Sequence, residues 1–296
     1  MAGCRTVPEK VSSLSVAFPR AGGSLPFVKR AYVIGATSAA VANITVNGVA
    51  VPVFPNGAWG TVTAVAEGTN TLVIADGAST LVHRFVVQAP KTAAGAASAP
   101  KIYGKLEYAA ERPRLPVAGA APLVYLDPGH GGPTDCGAVS PHGRAEKEAN
   151  LLLAAAVAAK LRSRGIAVKM TRSDDRAIPL MERARPAHEA GAAVFVSIHH
   201  NAPAIATDPL AARYAAVYSW NPLGAGLAEA IAAKLGAKNL HANFAVTRSP
   251  EIPSVLVEAD FITHPQGEED SWNPQEVTRR AECVAAGIVA YLRSSK

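Results

Sequence analysis

Short hydrophobic runs with alternating polar positions fill the first third of the chain. They occupy residues 27–34, 43–46, 51–54, 60–65, 71–74 and 81–87. Turn signals such as Asn47-Gly48 and Asn56-Gly57 separate them. Strands of this length and spacing are typical of an all-β sandwich. We therefore predict a β-sandwich over residues 23–89, preceded by an N-terminal segment at 1–22.

The pattern changes twice further along. Residues 90–120 are rich in Ala and Pro with little periodicity, which predicts a linker. From residue 121 onward, apolar runs typical of buried strands alternate with helical patterns. The predicted strands are 123–127, 166–170, 193–199 and 254–260, and the predicted helices are 146–164, 180–190, 224–235 and 274–293. This order predicts an α/β domain over residues 121–296, with a mostly parallel sheet and helices on both faces.

Composition and charge narrow the function classes. The chain is 49% hydrophobic and 18% charged, which is too apolar for a disordered protein. Its net charge of +6 lies entirely in residues 1–120, with 11 Lys and Arg against 5 Asp and Glu, whereas residues 121–296 balance at 18 against 18. No basic cluster is interleaved with aromatics, so nucleic acid is not an expected partner. The uncharged, largely apolar run at 149–159 is about half as long as a membrane-spanning helix needs to be.

The N-terminal sequence allows two interpretations. Ala2-Gly3-Cys4 followed by a polar stretch resembles the end of a bacterial lipoprotein cleavage box, which predicts a lipid anchor at Cys4. An ordinary N-terminus is the alternative.

Four residues at predicted strand ends or helix starts have side chains suited to catalysis. His130 follows the first strand of the α/β domain within a Gly-rich loop, His199 ends another strand, and Glu258 lies near the end of the strand at 254–260. Glu146 begins a helix, where the helix dipole favours a carboxylate. Ligands bind beyond the carboxyl ends of strands in such sheets. Two imidazoles and a carboxylate match a catalytic zinc site, although each residue alone is more often structural.

Other ligand assignments stay open at this point. Glu148 would point to another side of the helix from Glu146. His200 would lie on the apolar face of its strand or in the following loop, because alternation puts His199 on the opposite face. The remaining candidate histidines are expected at the surface or behind the site: His142, His188, His241 and His264.

Five motifs occur in a fixed order around these residues: LDPGHGG at 126–132, GRAEKEANL at 143–151, TRSDD at 171–175 with LMER at 180–183, FVSIHHNA at 195–202 and PSVLVEADFI at 253–262. From 123 to the C-terminus the chain resembles zinc-dependent N-acetylmuramoyl-L-alanine amidases of the amidase-3 type. The resemblance implies one zinc ion per chain, bound by His130, Glu146 and His199, with Glu258 as the catalytic glutamate. It also implies an extracytoplasmic enzyme of the cell envelope or periplasm. The implied reaction is hydrolysis of the amide between N-acetylmuramic acid and L-alanine in peptidoglycan.

Residues 24–88 resemble immunoglobulin-like modules attached to bacterial extracytoplasmic enzymes. Their positive charge could hold the enzyme near anionic wall polymers, or simply keep a spacer soluble. Two other functions remain open: a zinc peptidase acting within the stem peptide, and a non-catalytic wall-binding protein. The sequence predicts neither substrate-binding residues nor protein activators.

Three departures from the family pattern are visible. The connection after Asn201 is too short for the long helical insertion that blocks the zinc in some members. A family Gly-x-Glu segment is replaced by Arg213-Tyr-Ala-Ala-Val-Tyr218, and Ile262-Thr-His264 replaces the usual Ser-Asn. The second departure affects the expected substrate specificity.

Overall fold

The computed structural model describes residues 14–90, 122–249 and 251–294. The first of these ranges holds eight strands and no described helix, and we call residues 15–87 the strand-rich region. Its strands are β1 (Ser15–Phe18), β2 (Ser24–Leu25), β3 (Arg30–Ala36), β4 (Asn43–Val46), β5 (Val49–Pro52), β6 (Ala58–Ala64), β7 (Gly68–Ala75) and β8 (Thr80–Val87).

The strand-rich region consists of two sheets around one core. One sheet has the order β1-β3-β6 and the other β2-β8-β7-β4-β5. Along β8, His83, Phe85 and Val87 are buried, whereas Val82 and Arg84 are exposed, as a period of two requires. Trp59 is the largest fully buried side chain. These features fit a sandwich, whereas the immunoglobulin-like assignment stays a prediction.

One strand lies outside the predicted sandwich range. β1 belongs to the segment 1–22, and its four partly buried residues are too few to give a clear alternation in sequence. The rest of that segment, including Cys4, lies largely outside the described residues, as does nearly all of the predicted linker. The predicted domain boundaries therefore stay predictions.

The remaining described residues form an α/β region, residues 123–294. Its strands are β9 (Leu123–Pro128), β10 (Ala167–Met170), β11 (Val194–Asn201), β12 (Ala216–Ser219), β13 (Lys238–His241) and β14 (Ser254–Phe261). Its helices are α1 (Glu146–Arg162), α2 (Arg185–Glu189), α3 (Pro222–Leu235), α4 (Pro265–Trp272) and α5 (Pro274–Ser294), with 3-10 turns at Leu180–Glu182 and Ala245–Thr247.

A six-stranded sheet organises the α/β region, with the order β10-β9-β11-β14-β12-β13. Every neighbouring pair is parallel except β14 with β12. One face packs against α1, α3 and α5 in a large apolar core. The other is covered by α2, the 3-10 turns and loops. The predicted α/β class, mostly parallel sheet and helices on both faces are confirmed.

Three details differ from the predicted elements. Strands β12 and β13 are not among the predicted strands. The edge strand β13 is short and largely exposed, so it lacks the apolar run of a buried strand, and β12 has only four residues. The predicted helix 180–190 divides into a 3-10 turn and α2. Pro186 explains the division, because proline is tolerated in the first turn of a helix and disfavoured inside one.

The strand-rich region contacts the α/β region at the loop 202–215, which follows β11. The backbone nitrogen of Tyr32 donates to the carbonyl of Ile205 (2.8 Å), and the Ile205 side chain packs against the core of the sandwich. A second contact joins the Asn56 amide to the Pro265 carbonyl (3.1 Å). Within the described residues, we find no helix that is both long and apolar enough to cross a membrane.

Candidate active site

Three predicted ligands meet at the carboxyl ends of β9 and β11. His130 lies in the loop after β9, Glu146 is the first residue of α1, and His199 is near the end of β11. One ligand atom from each lies within 4.8 Å of the other two. His130 Nε2 is 3.3 Å from Glu146 Oε2, and His199 Nδ1 is 3.1 Å from Glu146 Oε1. The structure therefore brings together residues that are far apart in the chain.

Two glycines leave room for these side chains. A Cβ atom on Gly129 would lie 2.1 Å from His199 Nε2, and one on Gly137 would lie 2.4 Å from Glu146 Oε2. Gly137 also has φ +67°, which disfavours any other residue. His130 itself adopts φ +59°, so the surrounding loop must hold a backbone conformation that is unusual for a non-glycine residue.

Hydrogen bonds fix the two ligands His130 and Glu146. Asp135 Oδ1 lies 2.6 Å from His130 Nδ1, which directs Nε2 toward the other ligands. The Glu146 carboxylate accepts from the backbone nitrogens of Ala138 (2.9 Å) and His200 (3.2 Å) and from the Asn150 amide (3.1 Å). Burial opposes ionisation of Glu146, but its bonds to the two histidines hold the pKa well below its usual range. Glu146 is thus ionised, as a carboxylate that binds a metal ion has to be.

Glu258 lies beside this group. It is the direct cross-strand neighbour of His199, on β14. Its Oε2 atom is buried and has no hydrogen-bond partner among the described residues. Burial raises the pKa of Glu258 to about 7, although the nearby His199 opposes the shift. A carboxyl group with such a pKa can both accept and return a proton near neutral pH.

Buried charged residues behind the loop that carries His130 were not predicted from the sequence. Asp127 is completely buried and accepts from Thr171 Oγ1 (2.6 Å), Arg183 Nη1 (2.9 Å) and Ser197 Oγ (2.7 Å). Arg183 Nη2 also donates to the His130 carbonyl (2.9 Å). The Ser197 hydroxyl is fully buried, and its only visible role among the described residues is to donate to Asp127.

Arg172 stabilises the same loop by donating hydrogen bonds to backbone carbonyls. Its Nε donates to the Pro128 carbonyl (2.9 Å), and its Nη2 donates to the carbonyls of Gly129 (2.8 Å) and Lys147 (2.7 Å). The only signal for these residues in the sequence is their place in the motifs TRSDD and LMER, which does not reveal what they contact. Asn150 could have been found, because it follows Glu146 by one helical turn.

The alternative ligands lie elsewhere. Glu148 is not part of the cluster. His200 points to the helical face, where its Nδ1 lies 2.9 Å from Asn150 Oδ1, and burial lowers its pKa to about 4. The other histidines bond outside the cluster: His142 with Glu268, His188 with Glu251, His241 with the Trp220 carbonyl, and His264 with the Gln266 backbone.

A cavity of about 440 Å³ opens above the cluster. Leu180 and Phe244 stand at its rim with half-exposed apolar side chains. The donor set of two imidazoles and one carboxylate fits catalytic zinc, because three protein ligands leave a position for water. The orphaned Oε2 of Glu258 also fits a site in which a polar partner is supplied from the cavity.

Comparison with known proteins places the α/β region in a family. The sequence model of the N-acetylmuramoyl-L-alanine amidase family matches residues 124–290, more than half of the chain. This chain belongs to the N-acetylmuramoyl-L-alanine amidase family. The matched stretch contains all four candidate site residues, and the strand-rich region lies outside it.

Named relatives and solved structures agree with this assignment. The amidase is similar to N-acetylmuramoyl-L-alanine amidase AmiA of Salmonella typhimurium, with 33% identity over 61% of this chain and 79% of the relative. It is also similar to amidase LytC of Bacillus subtilis, with 34% identity over 60% of this chain and 36% of the relative. A crystal structure of an amidase from Clostridium difficile 630 superposes with a TM-score of 0.55 at 33% identity, covering 60% of this chain and 99% of that one.

Proposed function

We propose that the protein hydrolyses the amide that joins the lactyl group of N-acetylmuramic acid to L-alanine of the peptidoglycan stem peptide. Family membership supports the reaction. The observation that carries the mechanism is the buried carboxyl of Glu258, with its unpartnered Oε2, beside the three converging ligand side chains. The proposed site is one zinc ion per chain, held by His130, Glu146 and His199.

Held by His130, Glu146 and His199, a zinc ion would supply Lewis-acid chemistry for the scissile carbonyl and the attacking water near neutral pH. The chain's own residues do the rest. Asp135 holds His130 in one orientation. The backbone bonds to Glu146 keep that carboxylate in place, and its contacts with His130 and His199 keep it ionised. Glu258 accepts the proton of the attacking water and transfers it to the nitrogen of the leaving L-alanine. A pKa of about 7 suits both transfers.

Product analysis tests this proposal. The zinc-loaded protein is incubated with an N-acetylmuramoyl tripeptide, and the products are identified by mass spectrometry. We expect free N-acetylmuramic acid and the intact tripeptide, with no reaction after chelation. Shortened peptides still attached to the sugar would instead identify a peptidase. A protein that binds sacculi without cleaving them and contains no zinc would be a wall-binding protein.

We further propose that the enzyme acts outside the cytoplasm, in the cell envelope or periplasm. The supporting reason is the location of its substrate, and one relative of Staphylococcus epidermidis is named a probable cell wall amidase. Lipid attachment at Cys4 stays a prediction. Mass spectrometry of the membrane-associated protein from its own cells tests it, because a diacylglyceryl group adds a defined mass to the N-terminal peptide.

A further inference from the structure

A second cleft, of about 420 Å³, lies between the strand-rich region and the loop that carries His130. We call it the Arg20 cleft. Arg20 and Tyr32 line it on the strand-rich side, and Asp135, Gly137 and Ala138 line it on the loop side. Gly137 and Ala138 also line the cavity above the metal ligands, so the two spaces adjoin along this strip of backbone.

Arg20 is an exposed cation that reaches across to the loop. Its Nη2 lies 3.4 Å from Cys136 Sγ, and among the described residues no carboxylate pairs with it. Asp135, the acidic residue of the cleft, is already bonded to His130. Two buried arginines of the α/β region differ, since Arg183 and Arg280 both pair with aspartates. The cleft therefore presents a guanidinium whose strong donors are available to a ligand.

The chemistry of the substrate indicates what that ligand is. In an N-acetylmuramoyl peptide the lactyl carboxyl is consumed by the amide, so the charged acids belong to the stem peptide. A guanidinium matches a carboxylate with two parallel hydrogen bonds. The stacked rings of Phe18 and Tyr32, with centroids 4.6 Å apart, give the same cleft an apolar wall for the aliphatic part of the peptide.

The two spaces are close enough in the chain's structure to share lining residues. Cys136, which Arg20 contacts, directly precedes Gly137, and Gly137 packs against Glu146 and His130. An extended residue spans about 3.5 Å, so a carboxylate two or three residues beyond the scissile amide lies about 7–10 Å from it.

We infer that the Arg20 cleft binds the stem peptide and that Arg20 pairs with one of its carboxylates. This inference rests on the proposed amidase function and extends it, because it gives the strand-rich region a direct part in substrate selection. The family-matched region alone, which begins at residue 124, would lack this contact.

The test compares two substrates that differ only in charge: an N-acetylmuramoyl tripeptide with free carboxylates, and the same compound with its carboxylates converted to amides. The full-length variants are Arg20→Ala, Arg20→Lys and the control Arg84→Ala. Arg84 is an exposed arginine on the outer face of the same region and does not line the cleft. Zinc content and thermal melting confirm that each variant is folded.

We expect Arg20→Ala to raise KM about tenfold for the charged substrate, the usual effect of losing a charge-assisted hydrogen bond, and less than twofold for the amidated one. Arg20→Lys retains part of the affinity, because an ammonium keeps the charge without the paired geometry. Arg84→Ala behaves like the wild type on both. Equal effects of Arg20→Ala on the two substrates, or none on either, would overturn the inference.

A binding measurement separates failure of the subsite from failure of the amidase proposal. Calorimetry with zinc-loaded Glu258→Gln needs no turnover, and we expect the charged substrate to bind about tenfold more tightly than in the Glu258→Gln/Arg20→Ala double variant. If the wild type releases intact tripeptide but the two calorimetric affinities are equal, the subsite is wrong and the amidase proposal stands. If the wild type cleaves nothing, the amidase proposal fails, and the calorimetric difference alone decides whether Arg20 binds the carboxylate.

Discussion

His199 and Glu258 face each other directly across the parallel strands β11 and β14. One is a proposed metal ligand and the other the proposed proton carrier, so the register of two strands sets their separation. Both strands are buried in the centre of the sheet, where a shift by one residue would move every side chain to the opposite face. The sheet thus fixes the relative position of two reacting groups without a dedicated contact between them.

The first prediction concerns Glu258→Gln. The amide retains the size of the side chain but cannot carry the proton, so we expect activity to fall by about 10²- to 10⁴-fold while one zinc per chain is retained. Turnover on the muramyl tripeptide and metal analysis measure the two effects. Glu148→Gln is the control. It removes the same negative charge from a glutamate outside the cluster and should retain full activity. Substantial activity in Glu258→Gln would exclude Glu258 as the proton carrier.

The second prediction concerns Asn150, which is fully buried and bonds Glu146, the Gly129 carbonyl and His200. Asn150→Ala removes the side chain that orients Glu146, so we expect zinc affinity to fall about 10- to 100-fold. Competition with a fluorescent chelator measures it. Glu148→Ala on the same helix serves as control. An unchanged dissociation constant for Asn150→Ala would mean that the backbone bonds alone hold Glu146.

The third prediction compares two glycines with similar backbone conformations. Gly137 and Gly191 both have positive φ, at +67° and +63°, but a Cβ on Gly191 would meet nothing within 4 Å. Alanine at either position costs about 1 kcal/mol in backbone strain. Gly137→Ala must also displace Glu146 or His130, so we expect it alone to lose zinc binding. Equal zinc contents in the two variants would show that the loop can relax around the methyl group.

The fourth prediction concerns the buried pair of Arg183 and Asp127, whose side chains are 3% and 0% exposed. Arg183→Ala leaves an uncompensated buried carboxylate, and we expect the free energy of unfolding to fall by about 3–5 kcal/mol. The exposed pair of Arg185 and Glu182 is the control, and Arg185→Ala should cost less than about 1 kcal/mol. Urea denaturation measures both. Similar losses of unfolding free energy in the two variants would show that burial does not determine how much each ion pair contributes to stability.

The fifth prediction concerns pH. A hydrogen bond that His142 donates to Glu268 raises the pKa of His142, with Nδ1 and Oε2 2.7 Å apart. The pair therefore stabilises the protein fully below the unfolded histidine pKa of about 6.5, and this contribution is lost as pH rises through the raised folded pKa. We expect His142→Gln to lower the melting temperature at pH 6 and to approach the wild type at pH 9. His241→Gln is the control, and a pH-independent difference for His142→Gln would contradict the assignment.

The site residues could be predicted because of where they lie in a regular fold. His199 and Glu258 end buried apolar runs, and parallel strands bring their carboxyl ends to one edge. Periodicity shows only that Glu146 and Glu148 lie on different sides of their helix, and the choice of Glu146 came from the family resemblance. The structure brings His130, Glu146 and His199 together.

The residues that support the site could not be predicted in the same way. Asp127 and Arg183 are 56 positions apart, and nothing in their local sequence pairs them. The role of Gly137 depends on side chains that approach from α1 and from the His130 loop. The helix predicted at 180–190 was wrong in its length because proline at 186 outweighs the apolar spacing. Pairing across long separations is set by packing, which periodicity does not encode.

The three proposed ligand side chains come from a loop, the start of a helix and a strand, and no two are neighbours on one helical turn. They are far apart in the unfolded chain, so a zinc ion held by them would bind almost only to the folded form. Nearly all of its binding free energy would then add to stability, about 4 kcal/mol when free zinc exceeds its dissociation constant a thousandfold. During biosynthesis, metal loading would have to wait until the strand carrying His199 has joined the sheet, so the newly made enzyme would be inert until it has folded.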